Sequence, residues 1–252
     1  MSRRPHSHYR PRRGRGAKAA ATGPSLSDFP GTPCPICEKP ESLCVCASVT
    51  KLAHKVEILI LQHPQEQDKV LGSARLAAAQ LENATFRVGL SWSSLTKALG
   101  READPKRWAV LYLGSVEPEK IAPGREVVAL DARGALLPGQ DDALADIEGV
   151  VLFDGTWSQA KTLWWRNPWV LKARRLILAP NKPSRYGALR REPRAVGLST
   201  LESAAFLLAR LEKRPDIETE MFASFERMLT KYRDASRLLR GRNTIAAAPP
   251  QS

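Results

Sequence analysis

From residue 55 onward, short apolar runs alternate with stretches of helical periodicity, and this alternation limits the fold more than any other feature. The runs consist of Val, Ile and Leu without a polar residue at every second position, which is typical of strands buried on both faces of a sheet. We therefore predict an α/β fold with a mostly parallel sheet flanked by helices, whose ligands bind beyond the carboxyl ends of the strands. The predicted strands are Val56–Leu61, Ala109–Leu113, Val127–Leu130, Val150–Phe153 and Leu176–Leu178. The predicted helices are Val70–Leu81, Asp141–Asp146, Trp157–Trp165, Thr200–Leu211 and Glu218–Leu239.

The charge of the chain favours a polyanionic partner. Its 252 residues include 39 Lys and Arg against 26 Asp and Glu, a net charge of +13, so nucleic acid is the first candidate. No apolar run approaches the ~20 residues of a membrane span. The basic N-terminus lacks the apolar core of a secretory signal. We expect a cytoplasmic protein that does not interact with a membrane.

Positive charge is concentrated in two segments. Residues 1–20 carry seven Lys and Arg and no acid, and residues 1–30 are expected to form a disordered arm that either attracts phosphates or only aids solubility. A second segment, 172–194, holds eight Lys and Arg against one acid, Glu192. A solvated face normally mixes both signs, so we predict that this second segment contacts phosphates.

All four cysteines lie within thirteen positions, in the pattern C-x2-C-x6-C-x-C (Cys34, Cys37, Cys44, Cys46). Two close pairs joined by a short turn can place four thiolates in the tetrahedron that zinc prefers. Disulfides are the alternative, and a cytosolic setting disfavours them. We predict a structural zinc in a small knuckle over residues 31–50, followed by a catalytic body over 51–242 and a disordered tail over 243–252. Four thiolates leave no open coordination position for chemistry.

Two motifs lie where predicted strands end. His63, followed by Pro64, ends the first strand and could be a base, a ligand or a hydrogen-bonding brace. The second motif is Asp154-Gly155-Thr156-Trp157, in which a buried strand ends in a carboxylate and a helix begins. A capping box of Thr156 with Gln159 explains part of this motif but neither Asp154 nor Trp157. An Asp at this position is placed to contact a ligand, and Trp157 offers a flat surface for stacking.

A third motif joins Pro183-Ser184-Arg185-Tyr186 to Leu198-Ser199-Thr200-Leu201-Glu202, where Ser199 and Glu202 form another capping box. Trp164, Trp165 and Trp169 are expected to be packing residues. The chain has no G-x-G-x-x-G and no Walker loop, so nucleotide cofactors held by those devices are not supported.

Taken together and in this order, the four cysteines, Leu61-Gln62-His63-Pro64, Asp154-Gly155-Thr156-Trp157, Pro183–Tyr186 and Ser199–Glu202 resemble the DTW-domain family, the tRNA-uridine aminocarboxypropyltransferases. The resemblance covers about Cys34 to Tyr232. It implies an α/β fold related to the SPOUT methyltransferases, with a trefoil-knotted pocket. It also implies S-adenosylmethionine as the donor of a 3-amino-3-carboxypropyl group and N3 of a tRNA uridine as the acceptor, in the variable loop for bacterial members.

Within this resemblance, Asp154 is the expected general base or the group that orients N3, with His63 and Glu202 as motif residues. The expected donor contacts are Gly155, Thr156, Trp157, Ala160, Leu198, Ser199 and Thr200. The expected RNA contacts are Lys182, Arg185 and Arg190.

The chain departs from the family pattern at two places. Gly72-Ser73 stands where Asn-Thr is usual, although Ser keeps the hydroxyl. Leu130-Asp131 stands where an aromatic residue and Pro are usual, which leaves one pocket wall in doubt. Two other functions remain open: a non-catalytic RNA-binding adapter with a zinc knuckle, and an RNA methyltransferase that uses the same donor. A pre-rRNA target is also open.

Overall fold

In a computed structural model, which describes residues 24–113, 121, 125–179, 183–189 and 197–246, six strands form one sheet. The strands are β1 (Glu57–Gln62), β2 (Ala84–Val88), β3 (Trp108–Leu111), β4 (Val127–Leu130), β5 (Gly149–Asp154) and β6 (Arg174–Leu178). The helices are α1 (Ala74–Gln80), α2 (Leu95–Leu99), α3 (Gln140–Ala145), α4 (Trp157–Arg166), α5 (Thr200–Leu211) and α6 (Pro215–Ala246).

The strand order is β2-β1-β5-β3-β6-β4, and every pairing is parallel except that of β4 with β6. The chain leaves β1 to form β2 on one side and then returns to form β3 on the other side, and β5 later fills the gap between β1 and β3. The strand order therefore reverses around β1 and β5. In open α/β sheets, ligands bind at the carboxyl ends of the strands at such a point.

The sheet is covered on both faces, as the uninterrupted apolar runs predict. In β1, Ile58 and Ile60 pack into a core shared with α1, α5 and α6. The alternate residues Leu59 and Leu61 pack into a second core with α2, α4 and the segment around Trp169. All six residues of β1 are buried, so a polar residue at its end is buried as well.

All five predicted strands and all five predicted helices are present, and their ends differ from the predicted ones by at most seven residues. Two elements were not predicted. β2 (Ala84-Thr-Phe-Arg-Val) is an edge strand whose residues are half-buried or exposed, and its sequence lacks a continuous apolar run. α2 has five residues, too few to show helical periodicity.

The tryptophan prediction is correct for Trp164 and Trp169, which are buried, but wrong for Trp165, which is 74% exposed. The physical reason is helical geometry. The buried side of α4 carries Ala160, Leu163 and Trp164, and the next residue along the helix points about 100° away from it.

The cysteine-containing segment packs against the body of the chain. Phe29 is buried and its ring lies 6.1 Å from that of Tyr232 on α6. Lys231 donates a hydrogen bond of 2.5 Å to the carbonyl of Cys44. Residues 24–30, which were expected to belong to the arm, therefore include a helical turn (Leu26–Asp28) and a docked aromatic residue. At the other end, α6 continues to Ala246, past the predicted end of the body at residue 242.

None of the described helices is both long and apolar enough to cross a membrane.

Candidate active site and metal centre

Asp154 ends β5 at the point where the strand order reverses, and its side chain is half-buried. Its neighbour on β1 is Gln62, which is 3% exposed. The Gln62 Nε2 donates a hydrogen bond of 2.8 Å to Asp154 Oδ2. The hydroxyl of Thr200, the first residue of α5, donates a short hydrogen bond to Asp154 Oδ1. Two neutral donors thus fix the carboxylate, which keeps lone pairs for another partner.

The Thr200–Asp154 hydrogen bond joins two of the predicted donor-binding segments. The beginning of α4 follows Asp154 directly, and the beginning of α5 lies against its carboxylate. Residues 155–160 and 198–200 are 38 or more positions apart in the chain but meet at one carboxyl edge of the sheet. The structure therefore brings together the two segments that the sequence treats as separate motifs.

His63 braces the site. Its backbone N–H donates a hydrogen bond of 2.9 Å to the carbonyl of Asp154. Its ring Nδ1 accepts a hydrogen bond of 3.3 Å from the N–H of Gln65 and so caps the turn Pro64–Glu66. The side chain is 9% exposed. Of the three roles considered for His63, these contacts support the brace.

The turn after Asp154 requires glycine because of crowding. A Cβ at Gly155 would lie 2.9 Å from the Cβ of Gln159 and 3.5 Å from that of His63. Gln159 cannot move away without breaking a hydrogen bond, since its Oε1 accepts one of 2.6 Å from the N–H of Thr156 and completes the predicted capping box. Trp157 is the first residue of α4 and is 40% exposed, whereas Ala160 is buried.

Glu202 links the two halves of the third motif, the turn 183–186 and the start of α5. It is 1% exposed and its carboxylate accepts hydrogen bonds from Ser199 N–H (2.8 Å), Ser184 Oγ (2.8 Å) and Arg185 N–H (2.7 Å). The capping box with Ser199 is present, so the Ser199 side chain is occupied by helix capping. Glu202 thereby holds the turn 183–186 against the start of α5. Tyr186 extends this connection, because its hydroxyl donates a hydrogen bond of 2.5 Å to the carbonyl of Leu71.

Ser73 uses the hydroxyl that remains at the first departure from the family pattern. It is 2% exposed, and its Oγ accepts a hydrogen bond of 3.3 Å from the N–H of Leu201. The second departure does not concern this site. β4 runs antiparallel to β6 at the edge of the sheet, so Leu130 and Asp131 lie at the amino ends of the parallel strands, away from Asp154.

The predicted RNA contacts differ in their placement. Arg185 forms an ion pair of 3.1 Å with Glu226 and lies over the ring of Phe222, with 4.3 Å between its Cζ and the ring centroid. The ion pair with Glu226 partly neutralises the charge of Arg185, and both contacts give this side chain a structural role. Lys182 and Arg190 lie outside the described residues.

The four cysteines form a cluster that can hold a metal ion. Their Sγ atoms lie within 4.8 Å of one another, and those of Cys37 and Cys44 are 3.7 Å apart. Zn–S bonds of ≈ 2.3 Å in a tetrahedron place sulfur atoms roughly 3.8 Å apart. None of the cysteines is in a disulfide. Backbone N–H groups of Ile36 and Cys46 point to the sulfurs of Cys34 and Cys44, at 3.4 Å each.

The thiols share protons through hydrogen bonds. A hydrogen bond from Cys46 lowers the pKa of Cys37 to about 5, and the same interaction raises the pKa of Cys46. Burial raises the pKa of Cys44. Burial lowers the pKa of the adjacent Lys39 to about 8, and negative sulfurs nearby oppose this effect. A bound dication replaces such shared protons, since metal ligation requires thiolates.

The cysteine cluster is connected to the candidate active site through Lys39. This side chain is 5% exposed and its ammonium donates a short hydrogen bond to the carbonyl of Val70. Val70 lies three residues before Ser73, which contacts the start of α5. The cysteine cluster can therefore influence the position of the loop before the candidate active site.

The sequence alone indicates no role for Gln62, which belongs to the motif Leu61-Gln62-His63-Pro64. The register of β1 with β5 reveals the role, because it pairs Gln62 with Asp154. A polar residue at the end of an otherwise apolar strand was the available signal. The role of Thr200 as a partner of Asp154 had no signal in the sequence.

Comparison with known proteins shows the family of the chain. The profile of the DTW domain matches residues 31–233, which include the cysteine cluster and every residue placed around Asp154. The chain belongs to the DTW-domain family. Residues 34–46 and 154–157 of this DTW protein are thus parts of one family pattern.

Three curated relatives of this DTW protein share one name. This chain is 30% identical over 189 residues to "tRNA-uridine aminocarboxypropyltransferase 2" of Macaca fascicularis, and the alignment covers 73% of this chain and 58% of the relative. The mouse protein of that name is 30% identical over 190 residues, with the same coverage. The Drosophila melanogaster protein is 31% identical over 188 residues, which cover 73% of this chain and 68% of the relative. The chain thus spans about three fifths of the length of its mammalian relatives. No solved structure matches it significantly.

Proposed function

We propose that this protein transfers the 3-amino-3-carboxypropyl group of S-adenosylmethionine to N3 of a uridine in tRNA. The observation that carries the proposal is the half-buried carboxylate of Asp154, oriented by Gln62 and Thr200 at the point where the strand order reverses. Family membership and the printed names of the relatives support the same reaction. A non-catalytic adapter has no need for a carboxylate fixed in this way.

Asp154 is the proposed proton acceptor. Uridine N3 carries a weakly acidic proton, and the nitrogen becomes nucleophilic as this proton leaves. The N3–C bond forms while the C–S bond of the sulfonium breaks, and neutral methylthioadenosine departs with the electron pair. The proton passes to Asp154. Alignment of N3 with the correct carbon of the donor supplies the rest of the rate enhancement. The sulfonium leaving group is already activated, so the step requires no metal.

The donor is proposed to lie between the starts of α4 and α5. Gly155, Thr156, Trp157 and Ala160 form one side, and Leu198, Ser199 and Thr200 form the other. The Ser199 side chain and the Thr156–Gln159 box are engaged in capping, so these residues would contact the donor through their backbone. Trp157, whose side chain is 40% exposed, would do the same. A SPOUT-like pocket with a trefoil knot stays a prediction, since residues 190–196, which precede α5, lie outside the described part of the chain.

The metal is proposed to be zinc. Four thiolates in a closed tetrahedral set match its ligand preference and leave no position for substrate. Cys34, Cys37, Cys44 and Cys46 would hold it, and its contribution would be to fold residues 31–50 against α6 and Val70.

The proposed function is tested by mass spectrometry of tRNA nucleosides from cells that lack this protein. We expect loss of a uridine that carries the aminocarboxypropyl group, and its return when the purified protein acts on that tRNA with S-adenosylmethionine. A methylated uridine as the product would replace the proposal with a methyltransferase. Failure to bind the donor in calorimetry would replace it with an adapter.

A further inference from the structure

Helix α4 presents an aromatic and basic stripe to solvent. Trp157, Lys161 and Trp165 are spaced four residues apart, so their side chains lie along one face. Trp157 is 40% exposed, Trp165 is 74% exposed, and Lys161 is exposed as well. The exposure of Trp165 is unusual, because a large aromatic side chain is normally buried in most of its area.

The stretch of sequence that contains this stripe is positively charged. Residues 155–191 contain no Asp or Glu but nine Lys and Arg: Lys161, Arg166, Lys172, Arg174, Arg175, Lys182, Arg185, Arg190 and Arg191. In the described part of the chain, no carboxylate forms an ion pair with Lys161. Its charge is thus available to a partner that carries negative charge.

The stripe begins at the candidate active site and leads away from it. Trp157 is three residues after Asp154. At a rise of ~1.5 Å per residue, Trp165 lies about 12 Å further along the helix axis. Stacked bases are about 3.4 Å apart, so this length corresponds to roughly three or four nucleotides.

We propose that the stripe Trp157–Lys161–Trp165 binds unpaired nucleotides of the RNA next to the target uridine. The bases stack on the two indole rings, and Lys161 contacts the phosphate between them. The proposal deepens the proposed function and rests on it for the identity of the RNA. Unpaired RNA is the occupant that the chemistry favours, because every base offers a π-face and every nucleotide a negative charge.

The fit to single strands also follows from the reaction. A uridine reaches Asp154 only after it leaves any base stack, and its neighbours then lose stacking partners. Indole rings placed outward from the active site replace part of that stacking. A surface of this kind stabilises the extruded state without reading the sequence, so it sets affinity rather than the choice of uridine.

The test is fluorescence polarisation with the full chain and two probes, an unpaired uridine-rich RNA and an RNA duplex of equal length. We expect Trp165→Ala to weaken binding of the unpaired RNA by at least about fivefold and to leave duplex binding unchanged. Trp165→Phe should restore most of the affinity, since a phenyl ring still stacks. Lys161→Ala should lower the slope of log K against log salt by about 0.7.

Two matched controls lie elsewhere on the surface. Leu238→Ala removes another exposed apolar side chain (69% exposed), on α6. Lys106→Ala removes an exposed lysine next to the amino end of β3, at the opposite edge of the sheet from Asp154. Neither variant should change the affinity for unpaired RNA.

The outcomes separate this inference from the proposed function. If Trp165→Ala binds unpaired RNA as tightly as the unchanged protein, the inference is wrong even when the protein modifies tRNA. An equal loss for duplex and unpaired RNA also overturns it, because stacking then plays no part. If the selective loss occurs but tRNA is never modified, the stripe is an RNA-binding surface and the proposed reaction is wrong.

Discussion

At the scale of single residues, the contacts of Asp154 explain why three motif residues occur together. Gln62 and Thr200 each donate to one carboxylate oxygen, while His63 holds the backbone of the same residue. The Oε1 of Gln62 is buried and has no hydrogen-bond partner among the described residues. A buried acceptor of this kind costs roughly 1–3 kcal/mol when it is unpaired.

We predict that Gln62→Glu lowers activity more at low pH than at high pH. Two neighbouring carboxylates share a proton, so the pair binds a proton at a higher pH than a single carboxylate does, and that proton blocks acceptance from uridine N3. The acidic limb of the kcat/KM profile should therefore move to higher pH. Gln62→Leu, which removes the donor without adding charge, should lower kcat without moving the limb. An unmoved limb in Gln62→Glu would show that Asp154 does not accept the proton.

At the scale of elements, the start of α5 connects three segments of the candidate site. Its first residues contact Asp154, Ser73 and the turn 183–186 through Thr200, Leu201 and Glu202. Glu202 alone accepts hydrogen bonds from three groups, two of them backbone N–H.

We predict that Glu202→Ala lowers the free energy of unfolding by at least about 3 kcal/mol, since it leaves several buried donors unpaired at ~1–3 kcal/mol each. Chemical denaturation measures this loss. Glu220→Ala, which removes an exposed carboxylate on α6, is the matched control and should stay within about 0.5 kcal/mol. Equal losses in the two variants would mean that Glu202 is not a structural link.

The elements themselves were largely predictable from sequence, because apolar runs and capping boxes are local signals. Val127–Leu130 and Thr200–Leu211 have the predicted ends. β2 and α2 were missed because one is a partly exposed edge strand and the other is a single short turn of helix. The antiparallel direction of β4 and the partners of Asp154 depend on long-range pairing, which one sequence does not encode in any local pattern.

At the scale of the whole molecule, the cysteine cluster and the candidate active site are linked by direct contacts. The cysteine segment contacts α6 through Lys231 and Phe29, and it contacts the loop before Ser73 through Lys39. A change at the cysteines should therefore displace this loop and alter the position of the groups that contact Asp154.

We predict that Cys37→Ser, or removal of the metal with a chelator, lowers the thermal midpoint and reduces activity together. Zinc content by elemental analysis and thermal unfolding measure the two effects. Restoring zinc to the chelated protein should restore both, whereas in Cys37→Ser it should restore neither fully. If the chelated protein lacks zinc but keeps its midpoint and activity, the cluster is not a structural metal centre.

Single-turnover transfer by Asp154→Asn shows whether the carboxylate of Asp154 enables attack by uridine N3. The amide keeps the shape of the side chain but cannot accept the proton, so we predict a rate at least about 100-fold lower. Zinc content, thermal midpoint and tRNA affinity should stay within error of the unchanged protein and of the surface variant Glu220→Gln. Transfer by Asp154→Asn at the normal rate would show that this carboxylate does not accept the N3 proton.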